Sequence, residues 1–361
     1  MFIVYSTVLI LSVVVSALLT PLCIYFSNKY GYLDNPSERK LHTRPVPYGG
    51  GVAIFSSLSV IIFILFICAK GGYFLPPELP SFIDLNVLLK DKRALSFLFG
   101  AVAIFILGFI DDIYDIPAKV KLFFQFVIIS AVIHFSSMTL SFFIHIPLVA
   151  FLGTLFWIVL ITNAFNLLDN MDGLCGGVSV VTLIIYFVLT ITYQQNLVSL
   201  LTLIVSAPVL VFLYFNKPPA RVYLGDAGSL LLGFLVAILS VMSTYYRESQ
   251  HLSTYFTPLL ILAIPLYDVT TVMLIRYKNK KPFFQADKNH FSHRLLNLGM
   301  TTTQVLMLIM SLCAVMGMGA ILLIYSNEFQ SAIIFSEVIL LFLVIYILEK
   351  VALKRKLKDH H

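Results

Sequence analysis

Long apolar runs separated by short polar segments dominate the chain. Each run is long enough to cross the hydrocarbon core of a bilayer as a helix. The pattern predicts an all-α polytopic integral membrane protein with about eleven transmembrane helices, and ten is the alternative count. The expected spans are 3–26, 50–68, 94–110, 119–136, 149–168, 174–193, 197–215, 228–246, 254–276, 302–325 and 329–348.

Composition supports this prediction and excludes other classes. Of the 361 residues, 59% are apolar and 12% are charged, about half the charged share of a soluble protein. A soluble enzyme, a secreted disulfide scaffold and a nucleic-acid-binding protein are therefore excluded. The four cysteines lie in or beside apolar runs without CxxC spacing, which is typical of small buried hydrophobic residues.

Basic residues predict the orientation. With the N-terminus outside, 19 of the 24 Lys and Arg residues fall in cytoplasmic segments, as the positive-inside rule requires. The C-terminus is then cytoplasmic. No linker or repeat is visible, so we expect one transmembrane domain over 1–361. Its cytoplasmic loops lie at about 27–49, 111–121, 163–173, 216–229 and 276–301.

Acidic residues are concentrated in three of these loops. In the first, Asp111 and Asp112 are adjacent, and Asp115 follows. Adjacent carboxylates repel each other, so they need a nearby cation or one of them binds a proton. They could serve as a metal ligand and a general base, or they could cap helices and mark the end of a span.

The second loop repeats one spacing. Asn163, Asn166, Asp169 and Asp172 follow one another at intervals of three residues, which would place all four on one helix face. Unpaired polar groups are costly inside a span, so the pattern favours a binding site. Hydrogen bonding between helices together with a C-cap is the alternative.

The third loop contains Gly225, Asp226 and Gly228, a glycine-flanked turn that opens a helix. The backbone N–H groups of such a turn and the helix dipole favour the binding of anions. Asp226 could hold Mg²⁺ together with phosphate oxygens and water. An N-capping aspartate would satisfy the same position.

Two basic loops accompany the acids. Residues 276–300 contain His290, His293 and Arg294, which suit a diphosphate better than zinc because a third ligand is missing. The loop at 27–49 has Arg44, and a glycine-rich stretch at 49–51 follows it. Those glycines permit close approach of a helix or ligand, or form a flexible turn.

The five stretches converge on the predicted cytoplasmic face. An acidic cluster surrounded by basic residues is the arrangement expected for a Mg²⁺–nucleotide-diphosphate site. An ion-coupled transporter is the alternative from another class, because Asp268 falls within a span. Most of the acids, however, lie at one end of the predicted helices. Transporter sites usually lie at the midplane of the membrane.

Taken together, these motifs resemble the polyprenyl-phosphate N-acetylhexosamine-1-phosphate transferases. Eleven spans with the N-terminus outside resemble the branch that uses N-acetylglucosamine. The phospho-MurNAc-pentapeptide transferases of peptidoglycan synthesis are the alternative branch. Their triple histidine and PTMGG-like loop, which is replaced here at 45–50, argue against them. Ser292, in place of a histidine common in the N-acetylglucosamine branch, leaves other N-acetylated UDP-hexosamines open as donors. The resemblance extends over about 34–299 and rests on 47–51, Asp111 to Asp115 with Lys121, 163–173, 225–228 and 290–294.

The resemblance implies a function. Such an enzyme transfers N-acetylhexosamine-1-phosphate, here GlcNAc-1-phosphate, from a UDP-sugar to undecaprenyl phosphate. It releases UMP and starts a lipid-linked cell-surface glycan such as lipopolysaccharide or teichoic acid. The implied cofactor is Mg²⁺, with Mn²⁺ as a substitute. The implied location is the bacterial inner membrane with the active site facing the cytoplasm, and a homodimer is left open.

The resemblance also implies residue roles. Asp226 would be the chief Mg²⁺ ligand with Asn166 nearby, and Asp111 would deprotonate or orient the lipid phosphate with help from Asp112. Lys121 would contact phosphate, and Asp172 would belong to the catalytic acids. Asp169 would contact uracil, and Tyr223 would stack on it. The remaining substrate-binding residues would be Asn163, Arg44, His290, His293 and Arg294.

Overall fold

A computed structural model describes residues 2–34, 45–71, 91–140, 146–243, 245, 252–282 and 289–358, with side chains described except at 69–71 and 351–358. Arg44 lies outside these residues. The chain divides into two compact units, 1–244 and 245–361, and each is described by itself. The prediction of a single domain stays a prediction.

The described residues of the first unit form eight long helices and one pair of short strands. Two short antiparallel strands, β1 (Leu33–Asp34) and β2 (Val46–Pro47), pair Leu33 with Pro47. The helices are α1 (Phe2–Tyr30), α2 (Gly49–Gly71), α3 (Lys92–Tyr114), α4 (Ala118–Ser136), α5 (Pro147–Leu168), α6 (Leu174–Thr192), α7 (Asn196–Asn216) and α8 (Gly225–Met242).

Helix α8 forms the centre of this unit. It packs on α2, α3, α5, α6 and α7, and all but two of its residues are buried. Its polar groups find partners there, since Trp157 of α5 donates its indole N–H to Ser240 Oγ at 2.8 Å. Because α8 is packed along its whole length, its N-terminus is held in a fixed position.

Glycine allows α3 and α8 to approach closely. A Cβ atom at Gly108 would lie 2.4 Å from the carbonyl oxygen of Asp226, a distance that no side chain tolerates. The acidic end of α3 is thereby brought against the first turn of α8.

The first helix described in the second unit is a 3₁₀ helix (Leu252–Phe256). Within this unit, α12 packs on α9, α10 and α11, and α11 also packs on α13. Its α-helices are α9 (Thr257–Ile261), α10 (Ala263–Lys278), α11 (Phe291–Leu296), α12 (Thr302–Leu322) and α13 (Glu328–Lys358).

The prediction of an all-α polytopic membrane protein is confirmed. Among the described residues, ten helices are long and apolar enough to cross a membrane, or up to eleven if a bent pair forms one span. That pair replaces the continuous span expected at 254–276. The chain breaks at Leu262, and the helices on either side are bent by 68°. The N-out, C-in orientation stays a prediction.

Candidate active site

The N-terminus of α8 is capped by an acid from another helix. Asp112, at the end of α3, accepts the backbone N–H of Asp226 at 2.6 Å and that of Ala227 at 3.0 Å. Gly225 has a positive φ of 70°, and a Cβ there would lie 2.7 Å from Asp112 Oδ2. Two of the unpaired amides of the first turn are thus satisfied across helices, where a negative charge is favourable.

Tyr32 completes the hydrogen bonding of Asp112. Its hydroxyl donates to Asp112 Oδ2 at 2.7 Å. Burial, followed by the neighbouring charge of Asp112, raises the pKa of Tyr32, so the phenol keeps its proton. The carboxylate of Asp112 therefore holds three donors in place. The catalytic role predicted for it stays a prediction.

A lysine joins the two other acids of the cluster. Lys121 Nζ lies 2.6 Å from Asp111 Oδ2 and 3.4 Å from Asp226 Oδ2. Asp111 Oδ1 also accepts the backbone N–H of Ile116 at 2.8 Å. The side chain of Asp111 is 3% exposed and that of Asp226 is 35% exposed. Asp226 is thus the acid of this pair that faces an open space.

Asn166 orients Asp226 from the other side. Its amide nitrogen donates to Asp226 Oδ1 and, at 2.8 Å, to Ser229 Oγ. Asn163, one turn earlier, donates to Gln125 Oε1 at 2.6 Å. The structure brings Asn166 to the acidic cluster, whereas Asn163 pairs α5 with α4 inside the helical bundle.

The expectation that Asn163, Asn166, Asp169 and Asp172 share one helix face is wrong. Helix α5 ends at Leu168, and the two acids lie in the turn before α6. Tertiary contacts stabilise that turn, because Asp172 Oδ2 accepts the N–H of Ala220 at 2.9 Å. Gly173 donates its own N–H to Asn216 Oδ1 at 2.9 Å.

Asp169 lies in an electrostatically unfavourable place. Burial, and then the charges of Asp226, Asp112 and Asp172, raise its pKa well above the ordinary value. A buried carboxyl among acids favours its protonated form. Asp169 therefore lies close enough to the cluster to sense its charge.

Tyr223 is held by the glycine-rich entry to α2. Its N–H donates to Pro47 O at 2.8 Å, and its carbonyl accepts from Gly50 N at 2.9 Å. Its ring lies 6.4 Å from that of Tyr48. A Cβ at Gly51 would lie 2.4 Å from Gly228 N, so close helix approach is one function of these glycines.

The second unit contains the predicted basic residues. The Nδ1 atom of His290 lies 2.9 Å from Asp268 Oδ2. Arg294 donates to Glu349 Oε1 at 2.8 Å and to Thr271 Oγ1 at 2.9 Å. The rings of His290 and His293 are 6.5 Å apart. The structure thus brings His290, His293 and Arg294 together on and beside α11.

The donor set of the first unit is compatible with Mg²⁺. Among the described residues, no three His, Cys, Asp or Glu side chains could hold a metal ion by themselves. Mg²⁺ does not need such a cage, because it uses one or two carboxylates with substrate phosphates and water. The half-exposed carboxylate of Asp226 fits that need. The described residues give the Asn166 Oδ1 atom no hydrogen bond, so it could be a second oxygen donor.

Sequence reasoning missed two residues that contact predicted site residues, Gln125 and Tyr32. Gln125 is fully buried in α4 and pairs with Asn163. A single amide in an apolar span is a signal that could have revealed it. Tyr32 carried no such signal, since its sequence neighbours give no hint of a contact with Asp112, eighty residues away.

Fold and site define a polytopic helical membrane protein with a lysine-paired acidic cluster at the ends of α3 and α8. The chain matches the model of glycosyl transferase family 4 over residues 94–244, the part that carries the cluster. Its relatives include the probable undecaprenyl-phosphate N-acetylglucosaminyl 1-phosphate transferase of Bacillus subtilis (strain 168). The two are 32% identical over 351 residues, which cover 95% of this chain and 90% of the relative.

The undecaprenyl-phosphate alpha-N-acetylglucosaminyl 1-phosphate transferase of Escherichia coli (strain K12) is 26% identical over 94% of this chain and 90% of its own length. The enzyme of that name from Yersinia pestis is 28% identical over 80% of this chain and 76% of its own. The chain therefore belongs to glycosyl transferase family 4, among the polyprenyl-phosphate N-acetylhexosamine-1-phosphate transferases that its motifs resemble. It is a phosphoglycosyl transferase.

Proposed function

We propose that this protein transfers GlcNAc-1-phosphate from UDP-GlcNAc to undecaprenyl phosphate and releases UMP. The names of the relatives support the acceptor and the sugar. The observation that carries the proposal is the contact of Lys121 with both Asp111 and Asp226 at the mouth of the bundle. Transfer between two anions requires neutralisation and positioning more than covalent chemistry.

We propose direct displacement as the mechanism, with a two-step route through an aspartyl intermediate as the alternative. An oxygen of the lipid phosphate attacks the β-phosphorus of the UDP-sugar, and the bond from that phosphorus to the bridging oxygen breaks. UMP leaves with the bridging oxygen. The sugar phosphate remains on the lipid as a polyprenyl-diphospho-sugar. One diphosphate bond replaces another, so the reaction is readily reversible.

Each residue of the cluster has a part in this reaction. Asp111 orients the lipid phosphate or accepts its proton, and Lys121 offsets the charge of the phosphates. Asp226 and Asn166 would hold Mg²⁺, which supplies further neutralisation of the diphosphate when it is bound. Asp112 keeps the backbone of Asp226 in place. Mn²⁺ would substitute for Mg²⁺.

The remaining predicted residues bind the donor. Asp169 and Tyr223 contact the uracil, and His290, His293 and Arg294 contact the diphosphate or sugar. The excess of Lys and Arg in the loops supports a site on the cytoplasmic face of the bacterial inner membrane. The pentapeptide and transporter alternatives are not favoured by the family to which the chain belongs.

The test uses purified protein in nanodiscs with undecaprenyl phosphate and a panel of UDP-sugars. We expect UMP release with UDP-GlcNAc that requires both the lipid phosphate and Mg²⁺ and that stops when EDTA is added. Asp226→Asn should abolish it. UMP release without the lipid, or full activity of Asp226→Asn, would contradict the proposal. Preference for UDP-MurNAc-pentapeptide would replace the sugar assignment.

A further inference from the structure

Asp268 is a buried acid that the proposed reaction does not use. It lies in α10 and is 1% exposed. Both of its oxygens are engaged, since Oδ2 lies 2.9 Å from His290 Nδ1 and Oδ1 accepts the N–H of Phe291 at 2.6 Å. A buried carboxylate is costly unless it is hydrogen-bonded. Here both partners come from the segment that contains the predicted substrate-binding histidine.

The geometry settles which nitrogen of His290 is not used by the bond to Asp268. A carboxylate oxygen accepts, so the proton of this hydrogen bond lies on Nδ1. This holds whether or not the ring also carries a proton on Nε2. The side chain of His290 is only 6% exposed, and its ring cannot turn without breaking the bond to Asp268. Nε2 is therefore the nitrogen that can meet a substrate.

A second bond fixes the backbone beside the ring. By accepting from Phe291 N, Asp268 holds the residue that begins α11. Arg294, one turn later, is tied to Thr271 of α10 and to Glu349 of α13. His290 and Arg294 are thus presented by a short helix that is anchored to its neighbours by hydrogen bonds.

We propose that Asp268 is a positioning residue that orients His290 so that Nε2 binds the phosphate or sugar of the nucleotide-sugar donor. This inference rests on the proposed function, because it needs a donor for His290 to bind. Carboxylate–histidine pairs fix the tautomer and ring orientation of histidines in metal sites, where their removal costs about 10- to 100-fold in metal affinity or activity. An amide in place of the carboxylate would offer its NH₂ group to Nδ1 and so favour the wrong tautomer.

The experiment is a double-mutant cycle read by UMP release. Asp268→Asn should lower kcat/KM about 10- to 100-fold, mainly through a higher KM for the UDP-sugar. It should have little further effect in a His290→Gln background, because the partner is already absent. Glu337→Gln makes the same chemical change at an exposed position of α13 and should leave activity unchanged. Asp268→Glu, which keeps a carboxylate, should recover part of the activity.

Two results would overturn the inference. One is an Asp268→Asn variant with wild-type kinetics, and the other is a loss that is the same with and without His290. A wild-type protein that releases no UMP would instead contradict the proposed function.

A spectroscopic measurement covers the case in which Asp268→Asn does not fold. Nitrogen-15 spectra of histidine-labelled wild-type protein, assigned by His290→Gln, should show a protonated Nδ1 at His290. A bare Nδ1 would overturn the inference.

Discussion

Asp112 Oδ1 accepts the backbone N–H of Asp226 at 2.6 Å, so the second acid of α3 holds the first turn of α8. The adjacent acid, Asp111, instead binds Lys121. Two neighbouring carboxylates thus have different contacts, one with the backbone amides of α8 and one with an ammonium group. Because each carboxylate has its own partners, the two adjacent acids do not point at the same groups.

Replacing Asp112 should loosen the start of α8. We expect Asp112→Asn to lower the free energy of unfolding by about 1–2 kcal/mol, because its NH₂ group faces N–H donors and leaves one unsatisfied. UMP release should fall about 100-fold, since small shifts of a catalytic group are costly. Asp115→Asn, exposed at the end of α3, is the matched control. Equal melting temperatures for the two variants would contradict the capping role.

The ammonium group of Lys121 should neutralise part of the charge that a divalent cation would otherwise neutralise. In Lys121→Gln, Asp111 and Asp226 lose the ammonium group between them, so their repulsion is relieved mainly by Mg²⁺. We expect a larger rise in melting temperature on adding Mg²⁺ to this variant than to wild type. Lys119→Gln changes an exposed lysine on the same helix and should behave as wild type. An equal rise in melting temperature on adding Mg²⁺ to all three proteins would contradict this role of Lys121.

Gly108 should tolerate no side chain. Gly108→Ala would place a methyl group 2.4 Å from Asp226 O, and such overpacking costs about 1–3 kcal/mol. UMP release should fall with stability, because the shift occurs at Asp226. At Gly153 in α5 an added Cβ meets nothing within 4 Å. Gly153→Ala should therefore be neutral or stabilising by up to about 1 kcal/mol, as chemical denaturation would reveal.

Asp169 should make stability depend on pH. Its pKa is raised in the folded protein, so its contribution to stability is present at low pH and declines as pH rises through that raised pKa. The amide side chain of the Asp169→Asn variant does not ionise. Its melting temperature should exceed that of wild type by a margin that grows from about pH 4 upward, in EDTA. Parallel melting curves across pH would refute this.

The apolar runs by themselves determined the class of protein and nearly all of its helices. Local spacing is enough for this, because a span must satisfy its own backbone and present about twenty apolar residues to lipid. The acidic motifs could also be recognised, because six acids are concentrated in three short segments beside the spans.

Only the tertiary structure decided how those groups are used. The end of α5 before Asp169 is accompanied by contacts with a distant segment, such as that of Asp172 with Ala220. Asp112 caps a helix more than a hundred residues away, and Asp268 binds His290, which is 22 residues further along the chain. Sequence spacing describes neighbours along one helix. Which donor meets which carboxylate depends on how separate helices pack, and the glycines at 51, 108 and 228 permit that packing.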